Sequence, residues 1–482
     1  MMSDVVLVQP RFERFQPSHT YPTNPPLGLA YLGAALKGEG FTVEAVDLTT
    51  NPGEIQKDCK LILHFNPRVI GISVTTPTLL EVYKLTTELR KKGFAGLIVL
   101  GGPHITVRPE AVSTLEGDFG LAGECEHTLP QLYDTLIKED ILECRNTTRH
   151  STTHNPQLYD TLINKDTKYK EIHGLSRRDG KLVGEEEIAY ISDLNALPLP
   201  ERALFSMERY QFAHLICSRG CPYSCTYCSM AGTPYRARHP QDIVDELASL
   251  ARDYPWLSIG FGDDVFTMDR TLAEGICKEI KARSLDVQWS CTTRADTADK
   301  SLLQEMKSAG CWHISFGVES GVEAIRTSLG KCISNAQYES IFLACRELGI
   351  KSRAYAIFGH PSETVRDMRE TISFIKKLNP DEAFFSLTSI YPKTRLARQA
   401  IAEGKIPEDV WERCIQLEQP TPLYLPDNVT IEDVKAIIGE TIQTIYLSPR
   451  SIVKRLLKAR SLNELQQELS ALYGFIADAP SI

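Results

Sequence analysis

The chain alternates short apolar runs with longer amphipathic stretches, and does so in two separate blocks. In the first block, Val5-Val-Leu-Val, Phe41 to Val46, Val69 to Val74 and Leu97 to Leu100 are β-branched or aliphatic runs that predict buried strands. Between them, Leu27 to Lys37, Leu79 to Lys91 and Glu110 to Leu115 carry apolar residues at i, i+3, i+4 spacing and predict helices. That order predicts an α/β fold with a doubly wound, Rossmann-like parallel sheet. The alternation resumes with strands expected at His214 to Cys217, Leu257 to Phe261, Val287 to Cys291, His313 to Val318, Arg353 to Phe358 and Ala383 to Ile390. Helices at Gln241 to Arg252, Thr271 to Arg283, Lys300 to Ala309, Asn335 to Leu348 and Glu363 to Lys377 would wrap the outside. Six such units predict a partial (β/α)6 barrel of the TIM type, with functional groups at the carboxyl ends of its strands.

The blocks set the expected domains: an α/β domain over residues 1–143, a linker over 144–202, the barrel over 203–400 and a helical C-terminal cap over 401–482. A local duplication, Pro130-Gln-Leu-Tyr-Asp-Thr-Leu-Ile at the end of the α/β domain and Pro156-Gln-Leu-Tyr-Asp-Thr-Leu-Ile in the linker, has too few copies to extend into a solenoid. A hairpin with Asp179-Gly180 at its turn and a Pro-punctuated stretch at Leu197-Pro-Leu-Pro follow. The basic amphipathic segment Arg450 to Arg460 is expected to cap the barrel rather than to lie on an anionic membrane.

Composition narrows the class. The 482 residues include 53 basic and 62 acidic side chains, a net charge of −9 that gives no global attraction to nucleic acid. Thirteen cysteines scattered over this length do not form the dense framework of a secreted scaffold, so the expected compartment is the reducing cytoplasm. The sequence has no signal segment and no apolar run of about 18 residues, so no transmembrane segment is expected.

The chemistry concentrates in Cys217-Ser-Arg-Gly-Cys-Pro-Tyr-Ser-Cys-Thr-Tyr-Cys228. Cys221, Cys225 and Cys228 stand at C-x3-C-x2-C spacing on a Gly- and Pro-containing loop where a strand should end. Converging soft thiolates suit an iron–sulfur cluster or zinc. Structural zinc takes a fourth protein ligand, usually from a second knuckle, and no second C-x2-C exists. Cys217 could supply a fourth thiolate in a C-x3-C pair with Cys221; the alternative leaves it in the strand as a small buried hydrophobe. A cubane on three cysteines leaves one iron open to the amino and carboxylate groups of S-adenosylmethionine (SAM).

This motif, with the aromatic Tyr227 before its last cysteine, resembles the signature of the radical SAM superfamily. The phrase around it looks like the subgroup of methyltransferases and cyclases that carries an N-terminal cobalamin-binding domain. Pro26-Leu-Gly-Leu-Ala-Tyr-Leu, Gly101-Gly-Pro-His104 and Gly123-Glu-Cys-Glu126 resemble that domain, over most of residues 1–140. The resemblance implies a [4Fe-4S] cluster on Cys221, Cys225 and Cys228. It implies SAM contacts from Tyr227, Asp263, Asp264, Arg294, Glu319 and Gly359, with Asp296 and His360 nearby. For Asp263, Asp264, Arg294 and Glu319 the plainer reading is helix capping.

Cobalamin contacts are expected at the strand ends, from Ser73, Thr75, Gly101, Gly102, Gly123 and Glu124. One departure stands out: Asp47-Leu-Thr-Thr-Asn-Pro-Gly53 occupies the place of the Asp-x-His-x-x-Gly that gives cobalt a histidine in many cobalamin proteins. Any cobalamin is therefore expected to lack a histidine ligand. The implied reaction is reductive cleavage of SAM to a 5′-deoxyadenosyl radical, then methylation of an unactivated carbon in a small natural product or lipid. Electrons would come from a donor such as flavodoxin or ferredoxin. The same cofactors serve radical cyclisation or rearrangement. A non-catalytic cobalamin and redox sensor would not need the carboxylates at the barrel mouth. A methylthiotransferase would need more N-terminal cysteines than Cys59 and Cys125.

Overall fold

The computed structural model describes residues 3–11, 24–50, 54–138, 169, 171–178, 181, 188, 190–419 and 422–446. They form two compact units. The first holds the residues up to Ala213 together with Glu403–Pro422, and the second holds His214–Ala402 and those from Leu423 onward. Residues 403–422, expected in a C-terminal cap, therefore cluster with the first unit.

In that unit β1 (Val5–Gln9), β2 (Val43–Asp47), β3 (Val69–Ser73), β4 (Leu97–Gly101) and β5 (Phe119–Leu121) are parallel, and β6 (Leu175–Arg177) closes the edge antiparallel to β5. The order is β2-β1-β3-β4-β5-β6, so the direction of winding switches between β1 and β3. Val5, Val6, Leu7 and Val8 are all buried, as a strand covered on both faces requires. Helices α1 (Leu27–Gly38) and α3 (Leu79–Lys91) lie between strands as the periodicity predicts; a further helix, Thr128–Lys138, contains the first copy of the duplication. The second copy, the Asp179-Gly180 turn and Arg450 to Arg460 lie outside the described residues.

Three elements differ from expectation. The helix α2 (Ile55–His64) buries only Asp58, Cys59 and Ile62, too few apolar positions to stand out in the sequence. The helix expected at Glu110 to Leu115 shrinks to Ala111–Thr114, bounded by Pro109 and by Glu116 in the left-handed region at φ 53°. The stretch after Leu197 belongs to the first unit: Glu201 N–H donates to the Ala30 carbonyl at 3.0 Å, and Tyr210, expected in the barrel, donates to Asp47 Oδ2 at 2.8 Å.

The second unit is a six-stranded sheet in the order β14-β13-β12-β11-β10-β7, and β10 to β14 pair with one another in parallel. Its strands are β7 (Phe212–Leu215), β10 (Ser258–Phe261), β11 (Trp289–Thr293), β12 (Cys311–Glu319), β13 (Lys351–Phe358) and β14 (Glu382–Leu387). Two short strands, β8 (Ser218–Arg219) and β9 (Arg236–Ala237), pair antiparallel around the cysteine loop. Consecutive strands are neighbours throughout, which is the partial barrel that six βα units predict. The helix Ile431–Thr441 packs beside the outer helix Val365–Leu378. Its Val434 and Ile437 join Phe358, Met368 and Ile372, the core beneath that outer helix. Among the described residues no helix is long and apolar enough to cross a membrane.

The core of this unit is anchored by Trp289, fully buried against the stacked pair Phe261 and Phe266 at ring separations of 5.0 and 5.3 Å. Its indole N–H donates to the Ala309 carbonyl at 2.7 Å. Trp289→Ala should cost about 3–5 kcal/mol, read as a lower denaturant midpoint at unchanged slope. A loss below 1 kcal/mol would mean that this core collapses around the cavity.

Candidate functional site

The cysteine loop is fastened at its entrance by Asp263, which follows β10. Its buried carboxylate accepts the Cys217 N–H at 3.1 and 3.2 Å and the Ser218 hydroxyl at 2.5 Å. Burial raises the Asp263 pKa to about 6 against the pull of these bonds. Cys217 is itself buried, and burial followed by the Asp263 charge holds its thiol well above the ordinary value. A thiol in that condition behaves as a packed hydrophobe.

Further along, Cys221 N–H donates to Thr233 Oγ1 at 2.9 Å, and the Thr233 N–H returns a bond to the Cys221 carbonyl at 3.1 Å. Gly220 has φ 90°, and a side chain there would run into the Pro234 carbonyl. Cys228 Sγ accepts the Met230 N–H at 3.4 Å. Burial pushes the Cys228 thiol up to about 11, and the nearby Cys225 and Cys221 add to the rise. Asp264 is exposed, and its charge raises both Cys221 and Cys228.

On the next strands, Arg294 is buried after β11. Its Nε and Nη2 grip Asp296 at 2.9 and 2.7 Å, and its guanidinium carbon sits 3.7 Å from the Tyr223 ring centroid. Burial alone would lower its pKa; the bond to Asp296 and the charge of Asp296 outweigh it, and the net shift is upward. Glu319 ends β12 at a bulge, where the β13 register slips between Gly317 and Glu319, and it adopts φ 63°. A left-handed non-glycine residue at a bulge is strained backbone of the kind that collects at functional sites.

The Glu319 carboxylate accepts from Lys331 Nζ at 2.8 Å, with both side chains buried. Gly317 makes room for this pair, since a Cβ there would land on Glu319 Oε1 and Lys331 Nζ. Tyr227 leans on the same carboxylate: burial, then the Glu319 charge, raises its phenol well above normal. Its ring lies 6.1 Å from that of His360, which is fully buried and lowered to about 4 by burial. Gly359, at φ 87°, and His360 both donate backbone N–H groups to Glu363 Oε2, at 2.6 and 3.1 Å.

Glu319 therefore does not cap a helix. The following helix Glu323–Ser328 has Val322 at its N-cap and no side-chain cap bond. Capping falls instead to Asp269 and Asp299. Arg294, expected to be available to a carboxylate of SAM, has that edge of its guanidinium occupied by Asp296. The structure gathers Tyr227, Glu319 and His360 in one group and Arg294, Tyr223 and Cys225 in another; Asp263 faces the start of the loop and Asp264 faces solvent. Sequence reasoning missed Lys331, Tyr223 and Glu363. Only the glycine at 330, with φ 78°, marks the turn that delivers Lys331.

In the first unit the expected residues line the carboxyl ends of β3, β4 and β5. Ser73, Thr75, Gly101, Gly102, Gly123 and Glu124 are all partly exposed, while the strand residues leading to them are buried. Thr75 forms a capping box with Thr78. Gly102 has φ 99°, and a Cβ on it would press on the Val74 carbonyl at 2.9 Å, so chain packing alone already requires glycine there. Gly123 N–H donates to Thr106 Oγ1 at 3.0 Å, and Glu124 accepts the Ile191 N–H at 2.7 Å. His104 is buried, bonds Thr76 through Nδ1 at 3.0 Å, and has its pKa lowered to about 3 by burial and then by Arg108; its Nε2 has no hydrogen-bond partner among the described residues. Thr49 stands where the absent histidine motif would put its histidine, with its hydroxyl bonded to Asp47 Oδ1 at 2.7 Å.

Residues 215–375 match the Radical SAM superfamily, and residues 19–133 match the B12 binding domain. The chain carries a radical SAM domain and a B12-binding domain. It is similar to an uncharacterized methyltransferase of Pyrococcus horikoshii, 28% identical over 445 residues and 90% of each chain. It is also similar to the anaerobic magnesium-protoporphyrin IX monomethyl ester cyclase of Rubrivivax gelatinosus, 25% identical over 78% of this chain and 66% of that protein. In fold it resembles the radical SAM methyltransferase TsrM of Kitasatospora setae, solved with cobalamin and a [4Fe-4S] cluster, at a TM-score of 0.72 and 18% identity over the whole of both chains.

A radical SAM domain takes a [4Fe-4S] cluster and SAM, and a B12-binding domain takes cobalamin. The residues present fit. Around the loop three thiols stand on a backbone fixed by hydrogen bonds, with the Asp264 carboxylate beside them, and among the described residues no three ligand-type side chains converge as a single metal ion requires. Cubane thiolates sit on separate irons and are spaced more widely. In the B12-binding domain the accessible strand ends are lined by small residues and by backbone.

Glu363 gives a test of this site's electrostatics that needs no cofactor. It is buried with Oε1 lacking a hydrogen-bond partner among the described residues, and burial raises its pKa from 4.5 to about 7. The folded state thus binds the extra proton, so this group's contribution is complete below pH 4.5 and is lost as pH rises through 7. Wild type should lose about 3 kcal/mol from this source across that window. Glu363→Gln should remove that slope in denaturation curves taken at intervals of pH; parallel curves for the two proteins would show that Glu363 is ionised throughout.

Proposed function

We propose that this enzyme is a cobalamin-dependent radical SAM methyltransferase, transferring a methyl group to an unactivated carbon of a small molecule, with Cys221, Cys225 and Cys228 holding the cluster. The supporting observation is the pairing of a three-thiol loop in one unit with an open-ended doubly wound sheet in the other, in a chain whose methyltransferase relative aligns over 90% of both lengths. When bound, the cluster and SAM supply one-electron chemistry and cobalamin supplies the methyl group.

The chain's own residues position these groups. Asp263 fixes the direction in which the loop leaves β7. Lys331 holds the Glu319 carboxylate beside Tyr227, where it can accept hydrogen bonds from the ribose or ammonium of SAM. The N–H groups at Gly359 and His360 are held by Glu363, and Asp264 stays accessible beside the thiols. Ser73, Thr75, Gly101, Gly102, Gly123 and Glu124 form the cobalamin side. Electrons come from a small donor such as flavodoxin or ferredoxin, in the cytoplasm. Cyclisation is the second reading, favoured by the similarity to the anaerobic cyclase.

Anaerobic reconstitution should give about four iron per chain and cleavage of SAM under reduction. Alanine at 221, 225 and 228 together should abolish both, and Cys217→Ala should retain them; loss of iron on changing Cys217 alone would shift the ligand set. With substrate, methylation should release 5′-deoxyadenosine and S-adenosylhomocysteine in equal amounts, whereas cyclisation would release the first alone.

The cobalt environment is testable separately. Electron paramagnetic resonance of the cob(II)alamin form should show cobalt lines without nitrogen splitting, since Thr49 replaces the expected histidine. A split spectrum would mean that another nitrogen, with His104 the first to examine, reaches the metal.

A further inference from the structure

Arg294 is a buried cation placed against Cys225 of the cysteine loop, and the proposed function leaves it without a task. Its fork is divided. Nε and Nη2 are taken by Asp296 at 2.9 and 2.7 Å, and Nη1 faces the loop, 4.0 Å from Cys225 Sγ. Tyr223, two residues before Cys225, lies under the guanidinium at 3.7 Å. The turn that carries Arg294 is fixed by a knot of hydroxyls: Thr267 bonds both Thr293 and Thr297, and Thr297 Oγ1 donates to the Arg294 carbonyl at 3.1 Å. The cation is therefore held in place before any cofactor binds.

We propose that Arg294 is a positioning residue for the cluster, placing a fixed positive charge beside the Cys225 thiolate and so raising the reduction potential of the [4Fe-4S] group, with Asp296 setting how much of that charge is felt. This rests on the assignment of the cluster to Cys221, Cys225 and Cys228. The physical cause is that reduction adds one negative charge to a group in a partly desolvated site, and a nearby cation stabilises the product of that step more than the reactant. Hydrogen bonds and net charge around the sulfurs are the protein's usual means of tuning such a potential. The electron comes from an external one-electron donor, and no bond is made or broken.

The experiment is a potentiometric titration of the reconstituted full-length protein without SAM, followed by electron paramagnetic resonance of the reduced cluster. Arg294→Met should shift the midpoint to more negative potential by about tenfold in the equilibrium constant, ~59 mV for one electron. Asp296→Asn, which leaves the cation uncompensated, should shift it the other way, and Arg294→Lys should fall between wild type and Arg294→Met. Opposite signs for the two partners are the discriminating result, because general loosening of the loop would move both in one direction. Midpoints unchanged with iron content intact, or shifts of the same sign, overturn the proposal. So does an unchanged midpoint with weakened SAM binding in Arg294→Met, which would return Arg294 to the SAM site. Wild type that takes up no cluster would instead overturn the assignment of the three cysteines, and this inference with it.

Discussion

The loop from Cys221 to Cys228 has no helix or strand of its own, so the positions of its sulfurs are imposed by the neighbours that grip its backbone. Asp263 holds the residues before it, and Thr233 holds Cys221. The far side is carried by one turn after the helix Glu323–Ser328. The Leu329 carbonyl accepts the Thr226 N–H at 3.0 Å, Gly330 backs onto the Ser224 carbonyl, and Lys331 reaches the carboxylate that Tyr227 leans on. The Leu396 N–H adds a bond to the Thr226 carbonyl at 2.9 Å. Reacting groups must be held to a fraction of an ångström, and an irregular loop meets that demand only when each of its turns is tied to a rigid strand end.

The Glu319–Lys331 pair shows why charge is used for one of these ties. Two buried ions recover in mutual attraction roughly what they lose in desolvation, so the pair adds little net stability compared with apolar residues of the same size. It supplies direction instead. The bulge at Gly317–Glu319 and the missing side chain at Gly317 make the space for the carboxylate, and the ammonium fixes its orientation through Oε1. The strained backbone at Glu319 is tolerated because the pair, the bulge and the glycine all require the same geometry.

Much of this was legible in the sequence, and the limits follow a pattern. Buried strands such as Val5–Gln9 and Val69–Ser73 announce themselves by composition, and the cysteine spacing by itself identifies the thiol loop. Partnerships between distant positions do not show. Nothing local to Glu319 reveals Lys331, and nothing near Arg294 shows that Asp296 occupies its fork while Tyr223 stacks beneath it. Glu363 reads as an ordinary helix-start carboxylate until the structure shows it buried under two backbone N–H groups. Short elements fail for a simpler reason: β5 has three residues, one of them glycine, and α2 hides a narrow apolar face among lysines and a histidine.

The course of the chain has a consequence for how such proteins can be recombined. The first unit is not a contiguous N-terminal block. Its Arg108 bonds Glu412 at 2.8 Å and lies over the Trp411 ring at 5.3 Å, more than three hundred residues later. A gene rearrangement that exchanged only the N-terminal segment would leave this arginine facing a foreign surface and strip the helix Val410–Gln416 of its native neighbour. The heritable module is therefore the N-terminal sheet together with its distant returning helix, and the two must be inherited or replaced as a set.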